Sequence, residues 1–217
     1  MVINFGTSGS KVTQVLVLEN PTNEKVPVQI EVFSRAADAQ GEELRTKTND
    51  FNIYPEQVVL LPQEKRNVRI TWSGHLKDAN EMAYRIVASQ LPVEFKEHNE
   101  HSKKPGVSLN FLLQYVASAY VTPDNASAKV KIKDVRVVAP KKIELTLQNA
   151  GNAHKVLYPQ KITLKAGNTV VMELIHPKEL DGVNLLAQSE KKIILPLPKE
   201  IQDKKSLSGE IELADKD

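Results

Sequence analysis

The chain has 217 residues, 41% hydrophobic and 26% charged, with 12 Pro, 9 Gly, 5% aromatic residues and no Cys. At roughly 100–150 residues per domain this length gives two small domains or one large one, and composition so near the average excludes a disordered chain, a collagen and a coiled coil. Lys+Arg 29 against Asp+Glu 27 leaves a net charge of +2, too balanced for a nucleic-acid or membrane-surface binder. The absence of Cys excludes a disulfide framework, a thiol nucleophile and a Cys-ligated zinc.

No basic segment followed by an apolar one opens the sequence, so no signal peptide is expected; a strand-like pattern starts almost at Met1, as in a mature chain whose export signal has been removed. Strand signals then dominate. Residues 12–18 (VTQVLVL), 26–33 (VPVQIEVF), 58–61, 67–72 (NVRITW), 83–91 and 107–121 are β-branched, aromatic or alternating. Turn chemistry separates them: Asn20-Pro21-Thr22-Asn23, residues 38–41, Tyr54-Pro55, residues 62–64 and Ser73-Gly74. Only residues 76–81 suggest a helical turn. The 19 residues between and including Pro105 and Pro123 carry no charge, as a membrane span would, but Ser108, Asn110, Gln114 and Ser118 interrupt them and the apolar residues alternate. They read as a strand.

After Pro123 the character shifts. A polar turn at 124–127 precedes a lysine-rich alternation over 129–138 (KVKIKDVRVV), then strands at 143–148, 156–164, 169–174 and 191–195. The two sides differ in charge: 13 basic and 14 acidic residues up to Pro123, 16 and 13 beyond it. Short strands without intervening helices predict an all-β protein of two sandwiches, residues 1–123 and 124–217, with no evident internal repeat.

The sequence offers little for catalysis. Glu97, His98, Glu100 and His101 form the only candidate metal cluster, in a polar segment that reads as a loop, where no element fixes a closed ligand set. No phosphate-cradling glycine loop, nucleophile elbow or spaced carboxylate motif occurs. No catalytic residue, metal or cofactor is therefore expected, and the function is sought in binding.

In the uncharged strand, Leu109, Phe111, Leu113, Tyr115 and Ala117 share one face, while Asn110, Leu112, Gln114, Val116 and Ser118 share the other. One reading makes it a central strand covered on both faces. The other makes it an edge presented to a partner: no lysine, proline or bulge protects it internally, and a long loop precedes it.

The ordered blocks around this strand resemble the periplasmic chaperones of the chaperone–usher pilus-assembly pathway. They are Asn20 with its turn, Phe51-Asn52-Ile53-Tyr54-Pro55, Val58-Val59-Leu60-Leu61-Pro62, Asn67-Val68-Arg69-Ile70, residues 81–86, Gln90-Leu91-Pro92 and Tyr120-Val121-Thr122-Pro123. Residues 145–151 (LTLQNAG) and 192–198 carry a weaker likeness. The resemblance implies two immunoglobulin-like sandwiches in an L-shaped arrangement. It also implies donor-strand complementation: Leu109, Phe111 and Leu113, with Tyr115 next in register, fill the groove of a pilus or fimbrial subunit that lacks a strand. Burying three such side chains stabilises by about 5–9 kcal/mol before ordering costs.

The same resemblance implies an interdomain ion pair between Arg69 and Glu81, which as a plain exposed pair would contribute under about 1 kcal/mol. The family anchors the subunit's C-terminal carboxylate with two basic residues, whose counterparts here fall within positions 1–4 and at Ser118. None of these is Lys or Arg, so another group such as Arg85 substitutes, docking differs, or the first of the two was lost by truncation before Met1. The expected protein is a periplasmic, non-enzymatic chaperone with pilus subunits and an outer-membrane usher as partners, without nucleic acid or membrane insertion. Its free edge is also open to self-association. The alternatives are an immunoglobulin-like adhesin or structural surface module that buries the strand in its own sheet, and an enzyme with a metal at His98 and His101.

Overall fold

The computed structural model describes residues 1–38, 40–76, 79–93, 111–201 and 206–214. Nine strands precede the described break in character at Pro123: β1 Val2–Phe5, β2 Thr13–Glu19, β3 Val26–Ala37, β4 Glu43–Lys47, β5 Phe51–Tyr54, β6 Gln57–Leu60, β7 Lys65–Trp72, β8 Met82–Gln90 and β9 Gln114–Val121. Beyond it lie β10 Val130–Ala139, β11 Lys142–Asn149, β12 Lys155–Val156, β13 Pro159–Ala166, β14 Thr169–Ile175, β15 Asn184–Leu185, β16 Ser189–Pro196 and β17 Leu207–Leu213. Two short 3-10 turns are the only helical elements among the described residues. None is long and apolar enough to cross a membrane. Of the expected helical turn over 76–81, residues 77 and 78 lie outside the described residues; the others are irregular, and Ala79 sits at φ 51°, outside the right-handed helical region.

The chain divides into two compact units. Met1–Ser34, Arg45–His75 and Ala83–Val121 form the first, and Arg35–Leu44, Leu76–Met82 and Thr122–Asp217 the second. In the first, one sheet runs β1-β9-β8-β3-β4 with β6 also on β3, and a second runs β2-β7-β5. Their inner faces alternate apolar side chains, as a half-buried antiparallel strand requires. Ile30, Val32 and Ile86 come from one sheet, and Val68, Ile70 and Trp72 from the other. Phe51 of β5 joins the layers, edge-on to Phe5 at 5.1 Å and to Tyr84 at 4.8 Å. The Tyr84 hydroxyl donates to Asp50 Oδ2 at 2.9 Å, and burial, followed by that bond, pushes its pKa upward.

The second unit packs the sheet β10-β11-β16 on β14-β13-β17, with a β12-β15 pair beside them. Ile143, Leu145 and Leu147 meet Ile162 and Leu164 in its core. Its outer face explains the lysine-rich alternation of the sequence. Lys161 lies 2.8 Å from Glu212 across one strand pair, and Lys133 lies 2.7 Å from Glu190 within the other sheet.

A local device recurs in both units. Asn20, buried, donates through Nδ2 to the carbonyls of Glu24 at 2.7 Å and Leu61 at 2.9 Å, and accepts at Oδ1 from the Thr22 amide at 3.1 Å. Asn149, also buried, donates to Ala153 at 2.7 Å and Leu186 at 3.0 Å and accepts from the Gly151 amide at 3.0 Å. The segments LENPTNE (18–24) and LQNAGNA (147–153) thus build the same turn, a short repeat that the expectation of no internal repeat missed. In each, one side chain closes a turn and staples it to a distant loop, satisfying main-chain groups that burial would otherwise leave orphaned.

Candidate functional site

Among the described residues the uncharged segment is strand from Gln114 to Val121, while Phe111, Leu112 and Leu113 lie outside the strand, and the earlier part of the predicted alternation, 107–110, lies outside the described residues. β8 ends at Gln90, whose amide donates to the Leu113 carbonyl at 2.9 Å, and that is the last rung between the two strands. Phe111 and Leu112 continue outward beyond that rung. Leu109, an expected donor position, lies outside the described residues, as do His98 and His101.

Along the inner face of β9 the environment changes by period two. Ala117, Ala119 and Val121 are buried in the first unit's own core. Tyr115, Leu113 and Phe111, further out on the same face, are 69%, 54% and 79% exposed. The reading in which both faces of this strand are covered does not fit these exposures.

The edge of β9 is equally divided. β1 runs parallel to it, pairing Val2 with Ser118 through to Phe5 with Val121. The Ser118 amide reaches the Met1 carbonyl at 3.1 Å, so even-numbered residues aim their N–H and C=O groups toward that side. For Gln114 and Val116 no main-chain partner stands there among the described residues. The result is an apolar, charge-free stretch with an open hydrogen-bonding edge, the arrangement that pairs with foreign strands.

On the outer face, Arg85 of β8 donates from Nη1 to Ser118 Oγ at 2.5 Å. A guanidinium thus stands where β1 stops covering β9. Gln114 Nε2 likewise bonds Ser89 Oγ at 3.0 Å, holding the outward part of β9 against β8.

Arg69 and Glu81 fall in different compact units, each described by itself. Arg69 is exposed on β7, opposite Val15 and Tyr54. Glu81, with a side chain 2% exposed, accepts from Thr122 Oγ1 at 2.8 Å and from the His154 amide at 2.9 Å. Its Oε1 also lies 2.6 Å from His154 Nδ1. The turn at 152–154 explains these contacts: Asn152 takes the Glu81 amide on its carbonyl at 2.9 Å and donates to the Ala79 carbonyl at 3.1 Å, which sets His154 beside the carboxylate. No sequence signal points to His154, 73 residues away. Among the described residues, no group of three or more His, Asp and Glu side chains is placed to hold a metal.

Two β-sandwiches, one of them carrying a half-uncovered apolar strand, define a two-domain immunoglobulin-like protein. The model of the pili and flagellar-assembly chaperones, PapD N-terminal domain, matches residues 5–126. The chain belongs to this family.

Solved structures show the same fold over nearly the whole chain. A chain of the CsuC–CsuE chaperone–tip adhesion subunit complex, from the archaic chaperone–usher Csu pili of Acinetobacter baumannii, is 18% identical with a TM-score of 0.60, covering 97% of this chain and 93% of that one. The class 5 fimbriae chaperone CfaA is 13% identical with a TM-score of 0.58, covering 98% and 95%. A chain of the Salmonella enterica complex of the SafA pilin with the SafB chaperone is 13% identical with a TM-score of 0.52, covering 97% and 92%. No curated protein sequence matches the chain.

Proposed function

We propose that this protein is a periplasmic chaperone that holds pilus or fimbrial subunits by lending them β9 and its outward extension, and passes them to an outer-membrane usher. Residues 1–123 supply the donor strand on this reading, and residues 124–217 form the second sandwich. The observation that carries it is the exposure of Phe111, Leu113 and Tyr115 on a strand whose main-chain edge is open at Gln114 and Val116. The family assignment and the chaperone–subunit complexes of the same fold support it.

The chemistry is non-covalent and needs no cofactor or catalytic group. An incomplete subunit exposes the groove left by its missing strand. Leu109, Phe111, Leu113 and Tyr115 fill that groove while the even-numbered main-chain groups give the ladder bonds that fix register. A subunit strand on the open edge at Gln114 and Val116 brings its end within reach of Ser118 and Arg85. Arg85 then anchors the terminal carboxylate, in place of a basic residue at 118.

Co-expression in the periplasm with a panel of pilus subunits, keeping those the wild type stabilises, tests both parts. Phe111→Glu with Leu113→Glu alters only exposed positions, so the free chaperone keeps its melting temperature, but a carboxylate has no place in an apolar groove and subunit recovery is expected to vanish. Equal recovery by the folded double variant would sink strand donation. Arg85→Ala is expected to weaken subunit binding roughly ten- to a hundredfold through loss of a charge-assisted bond. Unchanged dissociation in a direct binding assay would place the anchor elsewhere.

A further inference from the structure

The inner face of β9 changes environment in a single step, from Ala117 at 6% exposed to Tyr115 at 69%. The residue at that step is neither aliphatic nor phenylalanine. Gln90 pairs with Leu113, and Arg85 lies beside Ser118, a register that sets Tyr115 opposite Ala88, a buried alanine. The residue directly opposite the ring is thus one of the smallest. Its hydroxyl has no hydrogen-bond partner among the described residues. Among the described residues nothing uses that oxygen, and phenylalanine would supply the same apolar surface.

We propose that Tyr115 is a specificity-determining residue, whose hydroxyl selects subunits carrying a hydrogen-bonding group in the groove wall that abuts Ala117. The inference rests on the strand-donation reading. Phe111 and Leu113 discriminate grooves by volume alone, and a methylene more or less changes affinity by about 10- to 200-fold at most. A hydroxyl adds a different filter. When a subunit closes over Tyr115, the hydroxyl leaves water, and a groove without a polar partner at that depth leaves it unsatisfied. A groove with a carbonyl or a side-chain acceptor there satisfies it. The position is suited to the role: it is the seam where the chaperone's core ends and the subunit's begins, so its partner is fixed by how the two sandwiches abut.

Dissociation rates of purified complexes with the pilus subunit that wild type holds most tightly from a panel distinguish the cases, using wild type, Tyr115→Phe and Phe111→Glu. Tyr115→Phe is expected to keep the melting temperature of the free chaperone and to weaken binding of that subunit about 5- to 30-fold. It is also expected to improve, relative to wild type, capture of the subunits that wild type holds poorly. Unchanged or tighter binding of the preferred subunit by Tyr115→Phe would overturn the inference. If that result comes while Phe111→Glu abolishes capture, strand donation stands and the hydroxyl filter alone falls. If Phe111→Glu also binds normally, both fall.

Discussion

Gly151→Ala is expected to abolish the folding of the second unit at ordinary temperatures, or to lower its melting transition by roughly 12–24 °C. A Cβ at this buried position would stand 2.3 Å from the Ser127 carbonyl oxygen, 2.5 Å from the Lys129 nitrogen and 2.7 Å from the Ala128 carbonyl carbon. All three are main-chain atoms, so no rotamer change relieves the clash and the turn itself must move. Movement breaks other bonds: the Gly151 amide donates to Asn149 Oδ1, and its carbonyl accepts from the Gln188 side chain, each at 3.0 Å. Overpacking of this kind costs about 3 kcal/mol or more, a large share of the stability of a domain. Thermal melting of the full chain followed by circular dichroism reads the effect; a shift below about 3 °C would show that the turn relaxes freely.

Asn149→Ala carries an expected loss of about 3–5 kcal/mol. The side chain is fully buried and ties three segments together: its own turn through the Ala153 carbonyl and the Gly151 amide, the Leu186 carbonyl, and the amide of Lys129 at 3.0 Å. Alanine leaves those groups orphaned in a dry interior, and the space it opens is too polar to collapse favourably. Urea unfolding checks it, with the midpoint falling and the slope unchanged. The isosteric Asn149→Asp is also expected to destabilise, because it keeps the acceptor but turns the donor toward two carbonyls as a second oxygen. A loss under about 1 kcal/mol for the alanine variant would mean that water replaces the side chain.

The strands that were legible in the sequence are those whose β-branched residues alternate, such as β3, β7, β8 and β11. β4 (ELRTK) and β17 (LSGEIEL) are polar or glycine-interrupted and take their strand character from pairing with β3 and β13, which composition does not announce. The asparagine repeat was visible as letters but has meaning only once both turns close on distant loops. In the site, the alternation of Phe111, Leu113 and Tyr115 was readable, whereas their exposure depends on where β1 and β8 stop. Glu81 shows the limit most plainly: its partner His154 arrives through a turn whose geometry is set by Asn152 and Ser127, not by anything near residue 81.

That carboxylate has a mechanical consequence for the lent strand. Glu81 immediately precedes β8 and Thr122 immediately follows β9, and the bond between them at 2.8 Å clamps one end of the two strands, while the Gln90–Leu113 rung clamps the other. A strand has a period of two residues, so a slide of one step would present Leu112 and Gln114 where Leu113 and Tyr115 belong. Clamped at both ends, β9 is held in phase before any partner arrives, and the free protein already displays the odd-numbered face.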